Sequence, residues 1–394
     1  MWFIPQTLRY NLPMLTSLKN TELVWVDQPQ TLSDVADELA QGEILAVDTE
    51  SNSLYAYQEQ VCLIQFSTPE KDYLIDTLAL PDLSPLGLIF NSGQTLKVFH
   101  AAEYDLICLF RDYGFRFNFL FDTMIAARTL GFQKVGYGAL LEKYFQIQMN
   151  KKYQRANWGQ RPLKPEMIEY ARLDTHYLIP LQARLRNELV ESGRWELALE
   201  DFKRLTQGIE DTTESDEDDF WKIHGARDLT PEKAAILKSL YQFRERQAEA
   251  QGRPSFKVMS NQALIEIAQT APNYIEELSL LPSLSERIEQ RYGKKLMQAV
   301  RDGRKAPPEH PPHHKRPENS VLSRIDALRE WRKLAGQRLG VPSDVILPRD
   351  VLNRIAWAGP GDLEELKSHM QDVPCRFSRF GDDIVNAIRN GRHP

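Results

Sequence analysis

Two acids close an apolar run near residue 50, where Ile44-Leu45-Ala46-Val47 leads directly into Asp48-Thr49-Glu50. In an extended strand residues i and i+2 leave the same face, so Asp48 and Glu50 point together at the sheet edge. Carboxylates paired in this way suit a hard divalent cation such as Mg²⁺. A further acid, Asp105, follows a second β-type run in Leu96-Lys97-Val98-Phe99-His100-Ala101-Ala102-Glu103-Tyr104-Asp105. There a strand passes into a helix and Asp105 falls in about its first turn; Glu103 is the competing acid, and either could simply complement the helix dipole. The third group is Tyr170 and Asp174, four residues apart in a helical pattern expected over Pro165–Val190. Four-apart residues lie one above the other on a helix, so a phenol and a carboxylate can serve one reaction centre.

The elements that must position these groups read as a mixed α/β domain over residues 1–209. β-rich runs at Leu23–Val26, Ile44–Val47, Val61–Phe66, Tyr73–Ile75 and Val98–His100 alternate with helical patterns at Ser33–Ala40, Glu103–Arg111, Asp122–Leu130 and Pro165–Val190. This predicts a central sheet with helices on its faces. An acidic linker follows at 210–225, its Glu210–Asp219 stretch holding seven acids and no base. The remainder is a duplication. At an offset of 88 residues, Phe243-Arg244 aligns with Trp331-Arg332, Leu264-x-x-Ile267-Ala268 with Leu352-x-x-Ile355-Ala356, and Glu276-Glu277-Leu278 with Glu364-Glu365-Leu366. The copies, 226–305 and 321–394, read as all-α. Thr230 serves as N-cap and Pro231 as the first residue of a long helix in the first copy. Neither copy gathers catalytic residue types, and the paired aromatics are expected in helix cores rather than stacked on bases. A Pro/His-rich linker, 306–320, separates them; His310, His313 and His314 there lack a rigid scaffold on which to bind metal.

Order and spacing of the three acidic groups, followed by the duplicated tail, resemble the ribonuclease D family within the DEDD superfamily of 3′→5′ exonucleases. Asp48-Thr49-Glu50, His100 to Asp105, and Tyr170-x-x-x-Asp174 match the three exonuclease motifs, and the repeats resemble helicase-and-RNase-D C-terminal (HRDC) modules. Tyr170 marks the tyrosine subtype; the histidine subtype carries its histidine one position earlier, where this chain has Glu169. The resemblance implies a ribonuclease H-like α/β exonuclease domain followed by two all-α HRDC domains. It also implies two-metal-ion hydrolysis releasing nucleoside 5′-monophosphates from RNA with a free 3′ end, tRNA precursors being the expected substrate. The four acids would hold two Mg²⁺ or Mn²⁺ ions, the all-oxygen set suiting these better than Zn²⁺, and Tyr170 would orient the attacking water. Thr49, His100, Trp158 and Arg161 are the expected substrate contacts. One departure concerns that last loop: many relatives carry Ser-Asp-Trp before Arg-Pro-Leu, and here the segment reads Ala156-Asn157-Trp158-Gly159-Gln160-Arg161-Pro162-Leu163.

Composition excludes several other classes. The 394 residues are 42% hydrophobic and 26% charged, ordinary for a globular protein of two or three domains. No apolar run approaches a membrane span. The N-terminal residues lack a secretory pattern, and three scattered cysteines argue against a disulfide scaffold or a cysteine zinc site, so a cytoplasmic location is expected; a monomer is the expected state. The net charge of −6 divides unevenly: 20 basic and 26 acidic residues in 1–209, but 14 against 10 in the first repeat and 12 against 10 in the second. The acidic domain therefore needs bound cations to admit a phosphodiester. Rival readings are a DNA exonuclease of the same superfamily and a non-catalytic RNA-binding scaffold. A helicase fragment is excluded, because no GxxxxGK[ST] phosphate loop occurs.

Overall fold

Alternating apolar segments of the first 209 residues assemble into a six-stranded sheet with helices on its faces. In the computed structural model, residue 18 and residues 21–209, 218–312 and 317–390 are described. Most of the acidic stretch at 210–217, His313 and His314 lie outside them. The first domain runs β1 (Glu22–Val26), α1 (Pro29–Ala40), β2 (Ile44–Ser51), β3 (Val61–Ser67), β4 (Lys71–Ile75), α2 (Ser84–Asn91), β5 (Leu96–Phe99), α3 (Glu103–Tyr113), β6 (Leu120–Asp122), α4 (Thr123–Leu130), α5 (Tyr137–Phe145), α6 (Pro165–His176), α7 (Leu178–Glu191) and α8 (Trp195–Gln207). Strand order is β1-β4-β3-β2-β5-β6. β3 and β4 are antiparallel, whereas β1 with β4, β2 with β5, and β5 with β6 are parallel, so the sheet is mixed.

Three expectations change. β2 lies between β3 and β5, so its acids stand at the carboxyl-terminal half of an inner strand and not on an edge. The helix expected over Pro165–Val190 is two helices, α6 and α7, meeting at Tyr177. Pro180 is the cause: it has no N–H to give the carbonyl four residues back, and its ring crowds that carbonyl. The segment at Asp122 is also split, because Leu120–Asp122 forms β6 and Asp122 caps α4 instead of opening it.

The first repeat contains α9 (Pro231–Ala250), α10 (Ser255–Val258), α11 (Asn261–Thr270) and α12 (Glu286–Lys305). The second contains α13 (Asn319–Leu339), α14 (Ser343–Ile346), α15 (Arg349–Ala358), α16 (Leu363–Ser368) and α17 (Pro374–Asn390). The Thr230 hydroxyl accepts from the Lys233 amide, capping α9 as its sequence position implies. The duplicated aromatics pack inside the helices: Phe243 meets Tyr292 edge-on at 5.8 Å, and Trp331 meets Phe380 edge-on at 6.1 Å. Gly303 permits the close crossing of α12 over α9, since a Cβ there would come 2.5 Å from the Ile236 Cα.

By compactness the described residues form two units. One comprises the first domain together with the second repeat; the other comprises the first repeat and the loop Ser51–Gln60. Inside the former, the second repeat is joined to the first domain by ion pairs. Arg376, fully buried, donates to Glu200 at 2.9 Å and to Asp201 at 2.7 Å. Arg204 reaches Asp350 at 2.7 Å and also Asp372, while the Arg194 guanidinium donates to the Leu339 carbonyl at 2.6 Å.

Candidate active site

β2 is fully buried from Ile44 to Val47 and half-buried from Asp48 onward, so the acids stand where the strand leaves the core. α6 brings the second set of groups. Its core stripe is Met167, Ala171 and Thr175, four residues apart; Tyr170 and Asp174 form the neighbouring stripe, which faces the same cleft as Asp48 and Glu50. Carboxylate oxygens of Asp48, Glu50 and Asp174 lie within 4.8 Å of one another. Asp105, on α3, joins this group through Thr49, whose hydroxyl donates to its carboxylate at 2.5 Å. Glu103, the competing acid, is exposed.

Electrostatics set this cluster apart. Burial, and after it the charges of Asp105, Asp174 and Glu50, push the Asp48 carboxyl well above the ordinary range. Glu50 moves the same way for the same reasons. Burial raises Asp105 to about 7 and Asp174 to about 8. The neighbouring charges acting on Asp48, Glu50 and Asp174 are carboxylates, not cations. A site of hard oxygen donors with no internal cation fits divalent metal ions, whose charge would let all four acids ionise together.

Several side chains hold the four acids and Tyr170 in place. Ser67 meets the Thr175 hydroxyl at 2.7 Å, and buried Asp72 accepts from Arg172 at 3.0 Å and faces His176 Nδ1 at 3.1 Å. These contacts fasten α6 to β3 and β4, fixing Tyr170 and Asp174. The Tyr170 ring sits between Trp158 and Tyr153, each with its centroid 6.1 Å away. Burial first, and then Asp174, raise the Tyr170 phenol far above its usual range, so it stays protonated. His100 lines the cleft; its Nδ1 lies 2.9 Å from the Thr123 hydroxyl, which itself donates to the Phe99 carbonyl. That leaves His100 Nδ1 as donor and Nε2 as acceptor. Burial holds the imidazole below its ordinary pKa, hence neutral.

Two expected substrate contacts have other surroundings. Trp158 is 1% exposed and packs behind Tyr170. Arg161 is engaged with both Asp76 oxygens at 2.6 Å and with the Cys62 carbonyl at 2.7 Å. Neither lines the cleft. The loop after Asn157 thus buttresses the phenol from the protein side, and the Asn157 side chain accepts from the Gly159 amide within that turn. Residues that the sequence reading did not single out complete the cleft, which encloses about 950 Å³: Lys134, Tyr137, Gln148, Asn150 and Lys151. Tyr137 donates to the Leu173 carbonyl at 3.1 Å, directly before Asp174, and its ring lies 5.4 Å from His100. No spacing rule marks these residues, because they come from a loop and a short helix.

Residues 23–190 match the 3′-5′ exonuclease family model, and residues 233–300 and 321–388 each match the HRDC domain. Ribonuclease D of Nitrobacter hamburgensis is 28% identical over 92% of this chain and 94% of its own length. The yeast exosome complex exonuclease RRP6 is 34% identical over 71% of this chain, but the match spans only 40% of that longer protein. Among solved structures, the catalytic core of RRP6 from Trypanosoma brucei superposes with a TM-score of 0.64 at 26% identity, covering 74% of this chain and 84% of that one. Escherichia coli RNase D shares the fold with a TM-score of 0.70 at 23% identity, over 94% of this chain and 99% of its own.

Proposed function

Because the chain belongs to the ribonuclease D family, a 3′-5′ exonuclease domain followed by two HRDC domains, we propose that it hydrolyses RNA from a free 3′ end to nucleoside 5′-monophosphates. The observation that carries this reading is the convergence of three carboxylate oxygens within 4.8 Å in the cleft that the Tyr170 phenol also lines. Asp48, Glu50, Asp105 and Asp174 would hold two divalent cations, Mg²⁺ or Mn²⁺, which when bound neutralise the phosphodiester and lower the pKa of the attacking water. Tyr170 orients that water by hydrogen bonding: a phenol so firmly protonated is not a general base. Thr49 fixes Asp105, and Lys134 and Lys151 on the cleft wall add positive charge for the entering phosphates. His100 offers Nε2 as an acceptor for a sugar hydroxyl.

Named ribonuclease D relatives support RNA as the substrate class. Precursor tRNA as the natural substrate, a monomeric state and a cytoplasmic location are parts of the same proposal. Among the described residues no helix is long and apolar enough to cross a membrane. The test is incubation with 3′-extended tRNA and matched DNA, with Mg²⁺ or with EDTA. Mononucleotide release from RNA only with metal is expected, Asp174→Ala abolishing it and Tyr170→Phe slowing it about 100-fold while metal binding persists. Equal loss of DNA would favour a DNA exonuclease, binding without cleavage a scaffold, and normal hydrolysis by Asp174→Ala would overturn the assignment.

A further inference from the structure

The two repeats share a fold but not a surface. α12, the last helix of the first repeat, buries Tyr292, Leu296, Met297, Val300 and Gly303. Its outward face repeats at spacings of four and three: Arg287, Arg291, Lys294, Gln298, Arg301 and Lys305, every one exposed. At 1.5 Å per residue this row of five basic side chains extends about 27 Å. Two exposed acids border it, and both accept from glutamines of the same helix: Asp302 from Gln298 at 2.7 Å and Glu286 from Gln290 at 2.9 Å. No carboxylate lies within 4.0 Å of the five cations among the described residues; Arg291 and Arg301 donate to glutamine side chains.

Eighty-eight residues on, the same face of α17 reads Cys375, Arg379, Asp382, Asn386 and Arg389, with Asp383 where the first repeat has Lys295. Its two arginines, which donate to the carbonyls of Gly193 and Gly361, are offset by Asp382 and Asp383, so this face carries no net positive charge. The residues that join the second repeat to the exonuclease domain differ equally. Arg376, Asp350 and Asp372 correspond in the first repeat to Ile288, Gln262 and Leu284, none of which can make those ion pairs.

We infer that the duplicated modules have divided their work. The first holds the phosphate backbone of RNA along the outer face of α12, and the second braces the exonuclease domain and leaves RNA alone. The partner is RNA because an unneutralised row of lysine and arginine along one helix face matches a linear polyanion, and the inference rests on the RNA substrate proposed above.

The experiment uses the full-length protein and a fluorescent RNA of about 30 nucleotides, with affinity read by anisotropy in EDTA so that cleavage plays no part. Arg287→Ala/Arg291→Ala/Lys294→Ala should weaken binding roughly tenfold near 0.1 M salt and flatten the slope of log K against log salt by about two. With Mg²⁺, KM on that RNA should rise with kcat unchanged, whereas a trinucleotide substrate should be cut normally. Arg379→Ala/Arg389→Ala should leave affinity and salt slope as in the native protein. Unchanged affinity and slope in the triple variant, or the loss falling instead on the second-repeat variant, would overturn the division of labour. Tight RNA binding without hydrolysis by the native chain would instead refute the proposed activity and leave this inference standing.

Discussion

Asp174 shows at the scale of one residue what the cleft demands. Its carboxyl is pushed up to about 8, first by burial and then by the charge of Asp105, against 3.8 in an unstructured chain. Between those values the folded protein binds more protons than the unfolded one. Without metal, stability must therefore fall as pH rises from about 4 to about 8. In EDTA the Tm is accordingly expected to be higher at pH 5 than at pH 8, and added Mg²⁺ should raise it more at pH 8. Asp174→Asn should flatten the EDTA profile; a native profile that is already flat would contradict the charge crowding. The acids and Tyr170 were legible from residue type and spacing. The indole of Trp158 and the guanidinium of Arg161 were not, because whether a loop side chain faces the cleft or supports it from behind depends on what packs against it.

The elements owe their placement to a few polar anchors. Asp122 is the clearest: at the end of β6 its carboxylate accepts from the Met124 and Ile125 amides at 2.7 and 2.9 Å and from the Ala102 amide at 2.7 Å. One side chain thereby caps α4 and ties down the turn that carries His100 and leads into α3. That turn includes Ala101 at φ 61°, a left-handed conformation unfavourable for alanine that the surroundings must enforce. Asp122→Ala, which leaves three amides without their acceptor, is expected to cost about 3 kcal/mol or more in urea unfolding and to reduce turnover through Asp105. A variant as stable as the native chain would show that water replaces the carboxylate. Strand and helix identities were largely readable from hydrophobic period. β6 was not, since three residues display no period, and the break at Tyr177 has Pro180 as its local signal inside an otherwise continuous helical pattern.

For the molecule as a whole, the duplication was visible as a constant offset, yet the consequence of the duplication was not. Copies that look alike in their apolar pattern differ in which polar residues meet a neighbour. Arg376 is buried between Glu200 and Asp201, and it also donates to the Val345 carbonyl at 2.9 Å. Arg376→Ala would leave the Glu200 and Asp201 carboxylates without their buried guanidinium, with an expected loss of about 3–5 kcal/mol in thermal or urea unfolding of the unit containing the exonuclease domain. If unfolding of that variant matched the native chain, the ion pairs would be dispensable and the brace would rest on apolar contacts alone.

Sequence alone supplied the candidate chemistry and the parts list: four acids and a phenol at motif spacing, a mixed α/β domain, and two helical copies. These are local properties, set by residue type and by the periods of strand and helix. Tertiary structure decided the rest: the meeting of Asp48, Glu50 and Asp174, the link from Thr49 to Asp105, the cleft wall of Lys134 and Tyr137, and the repeat that is braced. Each of these depends on distances between residues far apart in the chain, and such distances follow only from how whole elements bury their surfaces against one another.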